Sequence, residues 1–471
     1  MECAAQIFDG LGANSTAVTT VTVQKLQVNE TQMHQLMMSQ LTSATGSVDS
    51  TKKAISSATA VVNTVDCTSA PNCTALNRSI CSQVAQTCGP CLFEGSFVGM
   101  DGNSNDPCVP VSALAAFSAS GLPAHRRLTV QPCTADASCG PWGRCNLATL
   151  RCFVPAKQCT GNCSGVGQCV YQNAATGFAV KECSVGDPHC EAVCECPADF
   201  GGSDCSMTPQ SLRGKQSIRA QLMTALANVV ERENVNLQSI ASWANSIAAI
   251  TQSGEISAEV ASTSTELVTT ILNTASSLAY PASSVVGLLT AVDGISAVSS
   301  SRQSRRLVNA TLAGGLRSAI DGMGALLVNG MVGGQQASGA VLSNFRMASQ
   351  LVSAADGAVL DVPQTALEKW SGVATPSVTL GSNNPAASPQ VKLSAISLKT
   401  TTFGAGSNNS SGNQFSSNPL RLHVGTADLC QHWTPPPQRP HGPATSCTQA
   451  ISSSACPTPT LKQRLCSARE Q

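Results

Sequence analysis

Charge is scarce in this 471-residue chain. Charged residues make up 11% of it, and 27 Lys and Arg balance 27 Asp and Glu to a formal net charge of zero. Nucleic-acid binding draws on clustered Lys and Arg that neutralise phosphates, so nucleic acid is not an expected partner. Aromatics are scarcer still, at 3%. Large cores lean on buried aromatic area, so small modules and a thinly packed helical region are expected. No run approaches the roughly 18 apolar residues of a transmembrane helix. The opening MECAAQIFDG has neither a basic stretch nor an apolar one, so it does not read as an export signal. No GxSxG elbow, HExxH, phosphate-binding loop or dinucleotide fingerprint occurs, and the six histidines are scattered. The expectation is a non-enzymatic protein, with no catalytic residue, cofactor or metal site. A secreted enzyme with its site in the helical or strand block is the alternative, with a cytosolic zinc-binding protein behind it.

Cysteine is what the chain has in excess. Of 23 cysteines, six lie from Cys67 to Cys108, four from Cys133 to Cys152 and eight from Cys159 to Cys205. None occurs from 206 to 429; four follow, at Cys430, Cys447, Cys456 and Cys466, and Cys3 stands alone. Dense, even-numbered clusters beside a cysteine-free block suit an oxidised, secreted protein built of disulfide-stapled modules. An extracellular or cell-surface location is therefore expected. The absent export signal and membrane span are reconciled with it if the chain is a fragment, or an incomplete gene product, of something longer. Any membrane attachment would then lie in a missing downstream segment.

Two chemistries compete with the staple. His189, Cys190, Cys194 and Cys196 lie close enough to suggest zinc, but two well-separated ligand pairs are missing. CGPC, Cys88 to Cys91, has the spacing of a redox motif, but the strand-to-helix context is absent. DGNSND at 101–106 starts like a calcium loop, yet Ser112 stands where a bidentate Glu is needed, so a turn is expected.

The stretch from Cys159 to Cys205 reads CTGNCSGVGQCV, an insertion, then CECPADFGGSDC. It resembles the epidermal growth factor-like (EGF-like) module. The resemblance implies pairing of Cys159 with Cys169, Cys163 with Cys194, and Cys196 with Cys205. About 47 residues cannot bury enough apolar surface to fold unaided, so covalent staples are needed. The third-to-fourth cysteine loop is far longer than the family's and adds Cys183 and Cys190, expected to pair with each other. FVPAKQC, ahead of the first cysteine, lacks the carboxylates of calcium-binding members, so no calcium site is expected. Upstream, CTADASCGPWGRCNLATLRC forms a two-disulfide knot, assigned Cys133–Cys145 and Cys139–Cys152 without a deciding argument. Residues 67–108, which end in CGPCLFEGSFVGMDGNSNDPC, resemble through that CGxCL…G…GxSN…C pattern a cysteine-rich repeat of large extracellular proteins of protists and algae.

Helical periodicity sets in near Leu212. Ile218, Leu222, Leu226 and Val229 form one stripe; Ile240, Trp243, Ile247 and Ile250 a second; Val260, Leu267, Ile271 and Leu278 a third. Val285, Leu288, Leu289 and Val292 form a fourth, and Leu312, Leu316, Ile320, Met323 and Leu327 a fifth. Five stripes predict a bundle of about five helices, with Pro281 starting one of them. Then NFRMASQLV, AVLDVP, SVTL and VKLSAISLKT read as strands, and GAGSNNSSGNQFSSN as a flexible loop. Near the start, VTVQKLQV alternates like a strand, and the stretch from Glu30 to Val62 reads as polar, weakly amphipathic helix. Residues 210–425 weakly resemble polycystin and adhesion-receptor ectodomains, in which helices precede a β-sandwich of autoproteolysis-inducing (GAIN) type. CQHW at 430–433 is not followed by that family's His-Leu-Thr, so no self-cleavage is carried over.

The predicted fold class is multidomain: small disulfide-rich β modules, then an α-helical bundle and a β-sandwich-like region. Its parts are an N-terminal mixed fragment (1–66), a cysteine-rich module (67–111), a linker (112–132), the knot (133–158), the EGF-like module (159–208), the helical region (209–340), the β-rich region (341–428) and a disordered or aberrant tail (429–471). Among the glycosylation sequons, Asn72 and Asn162 precede cysteines, which limits access. The sites expected to carry glycans are Asn14, Asn29, Asn77, Asn309 and Asn408. RQSRR places a candidate processing site at Arg305 and Arg306, with a solvated charge run as the plainer reading. The predicted role is an adhesion or receptor ectodomain segment whose modules bind an unknown protein or glycan.

Overall fold

The computed structural model describes residues 2–8, 14–20, 30–93, 95–118, 132–197, 199–252, 255–278, 280–300, 310–329, 331–353, 358–380, 390–399 and 420–425. Strands β1 (Glu2–Phe8) and β2 (Asn14–Thr20) pair antiparallel. Helices α1 (Glu30–Ala44) and α2 (Val48–Val62) follow. The helix expected across Glu30–Val62 is therefore two. The chain breaks at Thr45–Ser47, where the Thr51 hydroxyl donates to the carbonyls of Ala44 and Ser47. The strand expected of VTVQKLQV lies outside the described residues, as does the tail.

The described elements of the cysteine-rich half are short. Besides 3-10 turns at Asp136–Cys139 and Thr160–Gly165, they are β3 (Phe97–Val98), β4 (Val109–Pro110), α3 (Val111–Ser118), and the antiparallel pairs β5 (Arg144–Asn146) with β6 (Arg151–Phe153) and β7 (Gln168–Asn173) with β8 (Cys190–Glu195). The expected linker from 112 is not all linker: α3 occupies its first part and buries Leu114 against Val98, Val109 and Trp142.

The predicted helical stripes become α4 (Pro209–Arg232), α5 (Leu237–Ile250), α6 (Ala258–Ser277), α7 (Val286–Ser300) and α8 (Ala310–Leu327). Their starts are written in side chains that accept orphan backbone N–H groups. Thr208 accepts from Ser211 N ahead of Pro209, Asn236 and Ser239 form a reciprocal capping box, and Ser257 accepts from Val260 N. Pro281 caps a short 3-10 turn ahead of α7. Leu222, Leu226, Ile240, Ile247, Val268, Ile271, Leu288, Val292 and Ile320 are fully buried together. Leu278 is the exception: it lies just past the end of α6 and is exposed.

The same core takes in Met37 and Leu41 of α1 and Ile55, Ala58 and Val62 of α2. The N-terminal helices therefore belong to the bundle, although the cysteine-rich modules separate them from it in sequence. Polar contacts reinforce the union. Lys52 pairs with Glu233 at 2.8 Å, and Asn63 donates to the Ala249 carbonyl. Arg219, fully buried, caps the end of α5 through the carbonyls of Ala249 and Ile250 while its other nitrogen meets Asn63 and Glu255.

The C-terminal part holds β9 (Ser338–Val341), β10 (Phe345–Ser353), β11 (Ala358–Asp361), α9 (Ala366–Ser371), β12 (Ser377–Leu380), β13 (Gln390–Leu398) and β14 (Leu420–Gly425). One antiparallel sheet runs β14-β13-β10-β9, and β11 pairs with β12 as a separate ribbon. Alternation sorts the side chains of β10 and β13. Phe345, Met347, Ile396 and Leu398 join the helical core, whereas Ala348, Val352, Val391, Leu393 and Ala395 pack with Leu360, Val362 and Val378 of the ribbon segment. The sheet is thus faced by helices on one side and by a two-stranded ribbon on the other.

Candidate binding surface of the cysteine-rich modules

All eighteen cysteines from Cys67 to Cys205 are in disulfides. The first module pairs Cys67–Cys81, Cys73–Cys88 and Cys91–Cys108. The knot pairs Cys133–Cys145 and Cys139–Cys152. The third pairs Cys159–Cys169, Cys163–Cys194, Cys183–Cys190 and Cys196–Cys205. The two cysteines of CGPC thus have different partners. The sulfurs of Cys133, Cys139 and Cys145, and of Cys159, Cys163 and Cys194, lie within 4.8 Å of one another. As half-cystines they offer no thiolate, the form that binds a metal.

The first module folds around a buried polar centre. There Arg78 is fully buried and donates to the carbonyls of Asp106, Gly89, Gly102 and Met100 at 2.5–3.1 Å, which ties down the loop containing DGNSND. Burial pulls its guanidinium down to about 10, against the opposing charges of Asp106 and Asp101. Between the modules, Lys157 Nζ donates to the Asp187 and Cys190 carbonyls and lies 3.7 Å from Asp106. Burial raises the Asp106 carboxyl above its usual range and lowers the Lys157 ammonium below its own, each partly restored by the other.

Trp142 joins the modules to the C-terminal region. Its Nε1 donates to the Pro107 carbonyl at 3.2 Å, and its ring meets Trp370 of α9 edge-on at 5.0 Å. The long insertion of the third module also packs on the ring. Gly186, at φ +78°, lies so close that an added Cβ would be 2.4 Å from the indole. Only glycine fits there. The insertion also pairs back onto the preceding segment, through Ala156 with Ser184 and through Val185 N to the Pro155 carbonyl. Lys399 and Glu191 form a further ion pair between the sheet region and the third module.

The knot projects the hairpin β5–β6. The register sets Arg144 opposite Phe153 and Asn146 opposite Arg151, so these four share one face, while Cys145 and Cys152 share the other. At the tip, Asn146 Oδ1 accepts from Ala148 N and Thr149 N. Leu150 has φ +51°, a conformation that bulky residues avoid, and its carbonyl accepts from Cys133 N. Three large apolar side chains of this hairpin are left in water: Leu147 is 68% exposed, Leu150 53% and Phe153 43%. Arg144 and Arg151, both exposed, flank them. The exposed hairpin is not evident from sequence. The signal was there, in Asn-Leu-Ala-Thr between two half-cystines, a spacing that suits a turn led by an Asx side chain.

Elsewhere, a groove of about 500 Å³ lies between α1–α2 and α4, lined by Met38, Leu41, Thr42, Thr45, Val48, Thr51, Gln221, Thr224, Ala225, Asn228, Val229 and Arg232. It offers no imidazole, thiol or carboxylate. No described helix is long and apolar enough to cross a membrane.

Of the expected glycosylation sites, Asn14 begins β2 and Asn77 is half-buried in the first module. Asn29, Asn309 and Asn408, and the basic residues Arg305 and Arg306, lie outside the described residues. Compared with known proteins, the chain matches no family model and no curated protein. The dense disulfide pairing fits small cysteine-rich modules of an extracellular or secreted protein.

Proposed function

We propose that this chain is a non-enzymatic part of an extracellular adhesion protein or receptor, and that it binds a protein partner through the β5–β6 hairpin. In this reading residues 159–205 are an EGF-like module with an enlarged third-to-fourth cysteine loop. The helical bundle and sheet form the supporting stalk, in the order of a GAIN-type ectodomain. The observation that carries the reading is the exposure of Leu147, Leu150 and Phe153 on a hairpin held by two disulfides. Large apolar groups gathered in water mark interaction surfaces. A rigid hairpin loses little conformational freedom on binding. The two flanking arginines select a partner that rims an apolar depression with carboxylates, since arginine pairs bidentately with them.

The test is adhesion of cells to surfaces coated with the secreted full chain. The L147S/F153S and R144E/R151E variants keep every cysteine and alter only exposed side chains. Both are expected to lose adhesion while retaining the native thermal transition. Wild-type adhesion by both variants would remove the hairpin from the function.

A further inference from the structure

The first module contains two glycosylation sequons five residues apart, and the structure treats them differently. Asn77-Arg78-Ser79 is the more accessible by sequence, because Asn72-Cys73-Thr74 has a cysteine in its middle. The fold reverses that order. Asn77 is half-buried at φ +55°, and its Nδ2 donates to the Cys108 carbonyl at 2.8 Å. Arg78 is the buried centre of the module, and the Ser79 hydroxyl donates to the Pro90 carbonyl. A sugar on Asn77 Nδ2 would have to occupy space beside the Cys91–Cys108 bridge. Asn72, by contrast, is exposed on a surface turn. Its Oδ1 accepts from the Thr74 hydroxyl at 2.7 Å and from Ala75 N at 3.2 Å. Among the described residues its Nδ2 donates to nothing.

We infer that in the folded, secreted protein Asn72 carries the N-linked oligosaccharide of this module and Asn77 carries none, because a chain that gained a sugar at Asn77 before folding could not seat Nδ2 on the Cys108 carbonyl and close the module. The inference rests on entry of the chain into the secretory pathway, which is part of the function proposed above. In the transfer, Nδ2 of Asn72 attacks the anomeric carbon of a polyprenyl-diphosphate-linked oligosaccharide. A C–N bond forms, the C–O bond to the diphosphate breaks, the polyprenyl diphosphate leaves, and one Nδ2 proton passes to a base. The acceptor must be extended during transfer, so closure of Cys73–Cys88 competes with it. Occupancy at Asn72 therefore depends on glycosylation preceding oxidation, and the finished fold then holds the glycan in solvent.

The experiment expresses the full chain behind a supplied export signal in eukaryotic cells. Amidase release of glycans in heavy-oxygen water, with fragment-ion localisation, then reads each Asn separately. Both secreted and retained protein are mapped, so failure of secretion or of adhesion is scored apart from glycan position. The expected result is labelled aspartate at 72 and unlabelled asparagine at 77. N72Q and T74V each remove one glycan mobility step, and N77Q removes none. Brief thiol treatment of the cells during synthesis raises occupancy at 72. A glycan at 77 in the secreted protein, or an unmodified Asn72 in secreted chains glycosylated elsewhere, overturns the inference.

Discussion

The cysteine-rich half and the helical bundle solve the same problem by opposite means. The bundle has no cysteine and buries aliphatic stripes from seven helices around Trp243. The modules have few apolar residues to bury. They replace them with nine disulfides and with buried polar centres such as Arg78 and Lys157. The bundle's stability resides in native contacts, whereas that of the modules comes largely from restricting the unfolded chain. The two halves should therefore fail under different treatments.

Full reduction breaks the comparison most sharply. Thiol treatment is expected to abolish amide-exchange protection across 67–205 while the helical circular-dichroism signal of the bundle survives. Equal loss in both halves would mean that they do not hold together independently. Single contacts come next. Trp142→Ala removes the ring between three segments and should cost about 3–5 kcal/mol; Leu222→Ala in the bundle should cost about 2–5 kcal/mol. Denaturant midpoints measure both, with the first loss in the modules and the second in the helices. Removing Cys183–Cys190, which spans 7 residues, should cost about 2.4 kcal/mol; removing Cys163–Cys194, which spans 31, about 3.7 kcal/mol, if loop entropy dominates. Equal losses for the two would point to native-state contacts instead.

The smallest effect is in pH dependence. Burial alone would raise the Glu368 carboxyl, but the Arg346 ion pair at 2.6 Å and the Thr365 cap outweigh it and hold it below its usual range. Its contribution is present above about pH 4.5, the ordinary value of a glutamate, and is lost as pH falls through the depressed value. Asp106 behaves oppositely: its raised carboxyl favours folding below about pH 3.8, and that advantage disappears as pH rises through the folded value. E368Q should remove about 1–2 kcal/mol near neutrality and flatten the acid limb, whereas D106N should steepen it. Stability curves from pH 3 to about pH 7 read both slopes.

How much of this was legible follows from the same contrast. Helical spacing of Ile, Leu and Val located α4 to α8, because a stripe at period 3.6 is a local property. The strands β10 to β13 were likewise visible as short alternating runs. The union of α1 and α2 with the bundle was not, because their sequence is polar and their partners lie beyond the modules. Nor was α3, since Leu114 finds its neighbours only after Trp142 is in place. Trp142 is unremarkable in CGPWGRC; its role depends on Gly186 and Trp370, brought from distant segments. The arrangement of exposed side chains on β5–β6 depends on register, which the knot's cysteines fix only once they are paired.

The chain leaves the bundle at Val62 and re-enters it at Pro209. During synthesis α1 and α2 emerge first and must wait, apolar faces uncovered, until everything between has been made. Closing that gap is entropically harder for a longer flexible tether, by about 0.6 kcal/mol per doubling. Each bridge that forms in the meantime shortens the tether. Oxidation therefore acts as a timing device for helical assembly, and a chain made where thiols stay reduced would keep its first two helices in need of a chaperone.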